Sequence, residues 1–535
     1  MRPRNFAAPL ISKEVYGDDV DTVHPMIVRQ SSSESAQLAR YGLLEAPASL
    51  PSTPMLEHAA PRAESLDGPV PPLCHVQASD PELVPPSRGF GAWCQRLLAF
   101  TGPGWLMSIA YVDPGNLEAD LQCGAQFGYS LLWALLVATS IGLGMQLIAA
   151  RLGCATRRHL AEHCQEHYPP YMRAVLWFLT ELAIVGSDIQ EVIGCSIGLQ
   201  LLLGLRLSTG VLVTAAAAFG FLFLERLGTR PLELFFGVLI MILAVSMGGL
   251  FAVIRPDTGA VLEGLTVPRM PPSSVKQVVG MLGCVIMPHN LFLHSALVQS
   301  RVIHQGEERE AVFLFGIEST VAIFTSLLIN TSVVAVFAKG FYGTSAADVI
   351  GLRTAGFYLG EAFGNPMRLI WALGLCAAGQ SSTMTGAYAG QWVMQGYLQL
   401  KVKPWKRAII TRSMALVPTL TVSIYFGGGH AGLDALNTYL NCLQSLVLPF
   451  AVVPLLTFVG TRQIMGDLVL SPVCLGAGWL ATGLIMVVNI YLFIEQFEGD
   501  LMSGGLTGTI GLATGILVYL LGIAYVAWVP LHPAS

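Results

Sequence analysis

The stretch Ser108-Ile109-Ala110-Tyr111-Val112-Asp113-Pro114-Gly115-Asn116-Leu117-Glu118 decides how the rest of the chain is read. It interrupts an apolar run long enough to cross a bilayer with a Pro-Gly pair and polar side chains. Proline removes a backbone donor and glycine frees the chain from helical geometry, so carbonyls before Pro114 lose their partners. Broken backbone at membrane depth survives only where it lines a cavity or is buried in protein. A carboxylate there marks a functional site. Asp113 and Asn116 flank this break. The pattern recurs at Gly283-Cys284-Val285-Ile286-Met287-Pro288-His289-Asn290, with Met287 lying 174 residues beyond Asp113.

The composition agrees with a membrane setting. Of 535 residues, 53% are hydrophobic and 12% charged, with a mean hydropathy of +0.61. Soluble chains carry about 25% charged residues. A large cytosolic enzyme, a disordered chain and a secreted disulfide scaffold are excluded. The net charge of −5 gives no basis for a nucleic-acid partner. The ten cysteines follow no disulfide or zinc spacing. Counting apolar runs of ~20 residues predicts about twelve spans, with the breaks in the first and sixth. Two broken helices at matching places in two five-helix halves predict an all-α polytopic membrane protein of LeuT type, with inverted repeats and a midplane site.

The boundaries follow. Residues 1–95 are rich in Pro, Ser, Glu and Ala and form a tail that cannot fold alone. This tail lacks a signal-peptide pattern, so the first span is expected to direct insertion. Its Tyr41-Gly42-Leu43-Leu44 has the form that sorting adaptors read. The first repeat is placed at 96–255, the second at 256–460, and two further spans at 461–535. Twenty-two of the 29 lysines and arginines fall on one side of this topology, which puts both termini in the cytoplasm.

Asp113 supplies a carboxylate, Asn116 an amide oxygen, and the unwound backbone near Ala110 and Cys284 supplies carbonyls. Half-helix C-terminal ends add partial negative charge, so the site suits a cation. Met287 is either core packing or a thioether ligand. As a ligand it favours Mn²⁺, Fe²⁺ or Cd²⁺ over Ca²⁺ and Mg²⁺. In the third span, Glu181, Asp188 and Glu191 fall at i, i+7 and i+10 on one face. They either handle protons or form a buried polar network, and Gly186 and Ser187 beside them would let helices approach. His289 and His294 are too far around the helix to share one ion. His289 either couples protons to the metal or only braces the broken helix, and His294 is structural. Glu318, Gln380 and Gln391 read as architectural. The sequon Asn330-Thr331-Ser332 lies inside an apolar span, where no transferase reaches. There is no phosphate-binding loop, so an ion gradient must supply the driving force.

Asp113-Pro114-Gly115-Asn116 followed by Met287-Pro288-His289-Asn290 resembles the NRAMP family of proton-coupled divalent metal transporters. Thr180–Gly194, His294–Arg301 and Ala378–Gln391 are also similar, and the resemblance runs from about residue 99 to 530. It implies that Asp113, Asn116 and Met287 bind metal, with backbone carbonyls from Ala110 and Cys284. The family usually has alanine at the latter position, and a thiol there adds a soft ligand that leaves the metal preference open. It implies that Asn441 approaches the ion when the site closes. It assigns proton handling to Asp188 and Glu191, with Arg407 or Arg412 as their basic partner. The implied activity is symport of Fe²⁺ or Mn²⁺, together with Cd²⁺, Co²⁺ and Zn²⁺, into the cytoplasm. Protons are the coupling ion, and the chain is neither an enzyme nor dependent on a cofactor. Its surroundings would be the lipid of a plasma, endosomal or vacuolar membrane. The alternatives are a carrier of Mg²⁺ or Al³⁺ on the same scaffold, and a metal sensor that does not transport. A sodium-coupled amino-acid carrier is disfavoured, because Asp113 would repel a substrate carboxylate.

Overall fold

The computed structural model describes residues 90–225, 229–345, 347, 350–399, 410, 413–414, 416–421, 430–496 and 506–531. The Tyr41–Leu44 motif, Arg407 and Arg412 lie outside them, as does most of the expected tail. Residues 90–95, assigned to that tail, instead open the first helix.

Every regular element among the described residues is helical. Helix α1 (Phe90–Phe100) leads into a first span split into α2 (Pro103–Ile109) and α3 (Pro114–Phe127). There follow α4 (Leu132–Thr156), a short α5 (Leu160–His167), α6 (Pro170–Leu203), α7 (Leu207–Glu225) and α8 (Thr229–Ile254). After α9 (Thr258–Thr266) the sixth span is split into α10 (Val275–Val285) and α11 (Pro288–Leu297). Then come α12 (Glu308–Phe341), α13 (Leu352–Phe363) and α14 (Asn365–Leu398). The described chain ends with α15 (His430–Gly460), α16 (Pro472–Gln496) and α17 (Leu506–Trp528).

Eight spans among the described residues are long and apolar enough to cross a membrane. The expected first span is missing from that set because its halves are short. The eighth is missing because Gln380-Ser381-Ser382-Thr383 dilutes the apolar character of α14, the fourth is matched only by the shorter apolar stretch Leu207–Ala217, and the ninth, expected at 408–426, lies partly outside the described residues. The outer faces of α8, α12, α16 and α17 expose Val245, Phe324, Leu480, Val487, Val518 and Leu521. A belt of that size is stable against lipid and not against water.

The most extensive packing joins α6 to α14, while α12 packs on both α2 and α3 and α10 packs on α15. The two broken helices therefore sit inside the bundle. Each restarts in the same way. The residue before a proline is pushed to extended backbone, and proline itself suits the first helical position. Asp113 (φ −70°, ψ 170°) and Met287 (φ −68°, ψ 130°) are accordingly the N-caps of α3 and α11. A proline in each span thus places a polar or soft side chain at the break.

Candidate metal centre

The first break frees several carbonyls, and α12 reaches two carbonyls of this segment with side-chain donors. Ser326 Oγ donates to Ser108 O at 2.9 Å and Asn330 Nδ2 to Tyr111 O at 2.7 Å, both from α12. The Asn330 sequon is therefore spent inside the bundle. Sequence reasoning passed over Ser326 and Asn330 as helix stabilisers. Their i, i+4 spacing on an otherwise apolar span was the available signal.

The remaining acceptors converge. Asn116 Nδ2 donates to Asp113 Oδ1 at 2.7 Å, to Cys284 O at 2.9 Å and to Ala110 O at 3.3 Å. The Asn116 backbone N–H also donates to Asp113 Oδ1, at 2.7 Å. Three oxygens from α3 and the unwound ends of α2 and α10 thus point at one place. Asp113 Oδ2 and Asn116 Oδ1 are buried there with no hydrogen-bond partner. The Cys284 thiol turns away and donates to Met281 O at 3.4 Å, so its carbonyl and not its sulfur faces the centre. Met287 is buried at the start of α11. Asp120, one turn beyond Asn116 in α3, is a further buried carboxylate whose Oδ2 has no hydrogen-bond partner. Asp120 was not legible from the sequence, because which face of α3 is buried depends on how that helix turns in the bundle.

Asn441 stands beside this centre. Its Nδ2 donates to Gly115 O at 3.3 Å, and its Oδ1 accepts from Gln190 Nε2 at 2.7 Å. Gln190 also accepts from Gln444 Nε2 at 3.1 Å. Gly283, next to Cys284, meets the Asn441 backbone so closely that a side chain there would clash with Asn441 O. The Gln190–Gln444 bridge was not read from sequence, because a glutamine in a helix does not announce its partner across the bundle.

On α6, the Ser187 hydroxyl lies 3.0 Å from Glu191 Oε1 and 3.9 Å from Met287 Sδ, which joins the acidic face to the second break. Asp188 and Glu191 meet over Gly386 of α14. A Cβ on that glycine would lie 2.8 Å from Asp188 Oδ1 and 3.6 Å from Glu191 Oε2. Glu181 is also buried, two turns away or ~10 Å by helix rise. The close approach expected at Gly186 is not found. A Cβ there would make ordinary contact with Leu440 at 3.5 Å, and the tight crossing lies on the α14 side of α6. His289 is buried, and its Nδ1 has no hydrogen-bond partner. His294 Nδ1 donates to Gln146 Oε1 at 2.6 Å, a bracing role. Glu318 accepts from the backbone N–H groups of Gly102 (2.5 Å), Gly104 (3.0 Å) and Trp105 (3.3 Å), capping α2.

Known proteins are similar to this chain in sequence and fold. Residues 104–495 match the family model Nramp, natural resistance-associated macrophage protein-like. The chain is 49% identical over 448 residues to metal transporter Nramp3 of Arabidopsis thaliana, covering 81% of this chain and 88% of that protein. It is 49% identical over 439 residues to metal transporter Nramp2 of Oryza sativa subsp. japonica, covering 80% and 84%. The fold is similar to that of a histidine-to-alanine mutant of the Eremococcus coleocola manganese transporter. The TM-score is 0.75 at 26% identity, over 84% of this chain and 98% of that one. The nucleobase-cation-symport transporter Mhp1 shares the fold at 16% identity, with a TM-score of 0.50 over 80% of this chain and 92% of that one. With both broken helices in place and most of its length matched, the chain belongs to the Nramp family of metal transporters.

Proposed function

We propose that the chain is a proton-coupled symporter that carries divalent transition metal ions into the cytoplasm. The observation that carries this reading is the convergence of Asp113 Oδ1, Ala110 O and Cys284 O between two helix breaks. Turning the Asn116 amide over would bring Oδ1 in place of Nδ2, and a cation would then meet four oxygens. Asp113 supplies the charge, Asn441 stands ready beside the site, and Met287 supplies the softer donor. That set suits Mn²⁺ and Fe²⁺, and also Cd²⁺, Co²⁺ and Zn²⁺, over Ca²⁺ or Mg²⁺. The names of the relatives, which include a manganese transporter, support the same class of substrate.

Asp188 and Glu191 take the coupling proton, Ser187 links them to Met287, and His289 and Glu181 extend the route. The repeats are 96–255 and 256–460, with 461–535 outside them. Both termini are cytoplasmic, as the lysine and arginine bias favours. The protein acts as a carrier and makes or breaks no covalent bond in its substrate.

The test is Mn²⁺ uptake into proteoliposomes under an inward proton gradient, with excess Ca²⁺ present. Uptake should vanish in Asp113→Ala. Met287→Ala should lose about tenfold in preference for Mn²⁺ over Ca²⁺, which is about 1.4 kcal/mol. Uptake that ignores the gradient would overturn the coupling, and a Met287→Ala protein with unchanged preference would overturn the thioether's role.

A further inference from the structure

The connection between α4 and α6 carries a cluster that the transport reading leaves unused. Helix α5 holds His163, Glu166 and His167 at i, i+3 and i+4, on one face. One ligand atom from each lies within 4.8 Å of the others. Histidines at i and i+4 of a helix are the two-imidazole grip of helical zinc sites.

The hydrogen bonds around the rings set their tautomers. Thr156 Oγ1 lies 2.8 Å from Leu152 O and 3.1 Å from Arg158 O, so its single proton goes to a carbonyl. It must then accept from His163 Nε2, 2.9 Å away. The lone pair of His163 is left on Nδ1, which is buried without a hydrogen-bond partner. His167 Nδ1 lies 2.9 Å from His163 O, and a carbonyl can only accept. The lone pair of His167 is therefore on Nε2. Metal-binding histidines are oriented in this way, with the second ring N–H donated to an oxygen. Phe458 of α15 lies against both rings, with centroids 5.5 and 5.2 Å away, and holds them in place. Glu166 is exposed and paired with Arg158 Nη1 at 2.5 Å, so the cluster opens to water on that side.

We propose that His163, Glu166 and His167 form a second metal site, for an imidazole-preferring divalent transition ion such as Zn²⁺ or Co²⁺. Two neutral nitrogens and one carboxylate make a three-ligand set with an open fourth position. Ligand atoms around such an ion, with bonds of ~2.1 Å, sit ~3.4 Å apart, so the side chains close by up to about 1.4 Å. Glu166 exchanges Arg158 for the ion as they do. The site is tied to the second broken helix, because Leu160 N donates to Ser295 Oγ of α11 at 3.0 Å.

This site does not depend on the transport reading, and binding alone tests it. Full-length protein in detergent, purified without a polyhistidine tag, is titrated with Co²⁺ and followed by visible absorption of the bound ion. In an Asp113→Ala background one Co²⁺ per chain is expected. Adding His167→Gln or Glu166→Gln should weaken it at least tenfold. His304→Gln, at an exposed histidine elsewhere, should change nothing. Glu166, His167 and His304 are not buried, and unchanged size-exclusion elution verifies the fold of every variant, the Asp113→Ala parent included. The same series without Asp113→Ala should fall from two ions to one. Absence of bound Co²⁺ in the Asp113→Ala protein, or equal affinity in His167→Gln and its parent, overturns the proposal.

Discussion

Gly386 makes room for a carboxylate. The hydrogen it carries in place of a side chain lets Asp188 and Glu191 approach the backbone of α14. Gly390, one turn on, is different, because a Cβ there would find nothing nearer than Ile184 at 3.9 Å. The pair makes a controlled comparison. Gly386→Ala should displace Asp188, cost about 1–3 kcal/mol in stability and depress proton-driven uptake. Gly390→Ala should leave uptake intact and be neutral or stabilising by up to about 1 kcal/mol. Thermal melting and Mn²⁺ uptake on the two proteins check this. Equal behaviour would mean that the acidic pair does not use the space over Gly386.

Half-helix α2 has only seven residues, too few to be stable alone. Its N-terminus leaves backbone donors unsatisfied, and Glu318 accepts from three of them. Gly102 reaches that cap with φ 147°, which a side chain would resist. Glu318→Ala should therefore speed hydrogen exchange at Gly102, Gly104 and Trp105 and lower the melting temperature. Glu318→Gln, which keeps an acceptor but loses the charge, should lie between it and wild type. Unchanged exchange in Glu318→Ala would show that α2 is held by packing alone. These elements also show what the sequence could reveal. Pro114 and Pro288 were legible because proline acts on its own neighbours, so the breaks and the residues before them, Asp113 and Met287, followed directly. Ser326, Asn330 and Gln190 were not legible as partners, because a hydrogen bond between distant helices depends on how those helices turn in the bundle. Gly186 was misjudged for the same reason. A glycine on α6 says that a face is open and does not say which neighbour uses it.

At the scale of the whole molecule, the lysine and arginine bias favours one orientation, which labelling can check. The turn after α12, with exposed Ser345, and the turn before it, with exposed Gln305, lie on opposite sides of that span. In cells that carry the protein at their surface, an impermeant maleimide should label Ser345→Cys at once and Gln305→Cys only after permeabilisation. The reverse pattern would invert the proposed orientation. A carrier of this kind must also travel back without its load. Buried oxygens left bare would resist that journey, at about 1–3 kcal/mol for each one. The Asn116 amide, with its N–H groups turned to Asp113, Ala110 and Cys284, gives those oxygens a stand-in for the ion. One side chain that offers oxygen to the cargo and nitrogen to the deserted site can thereby keep the return stroke from limiting turnover.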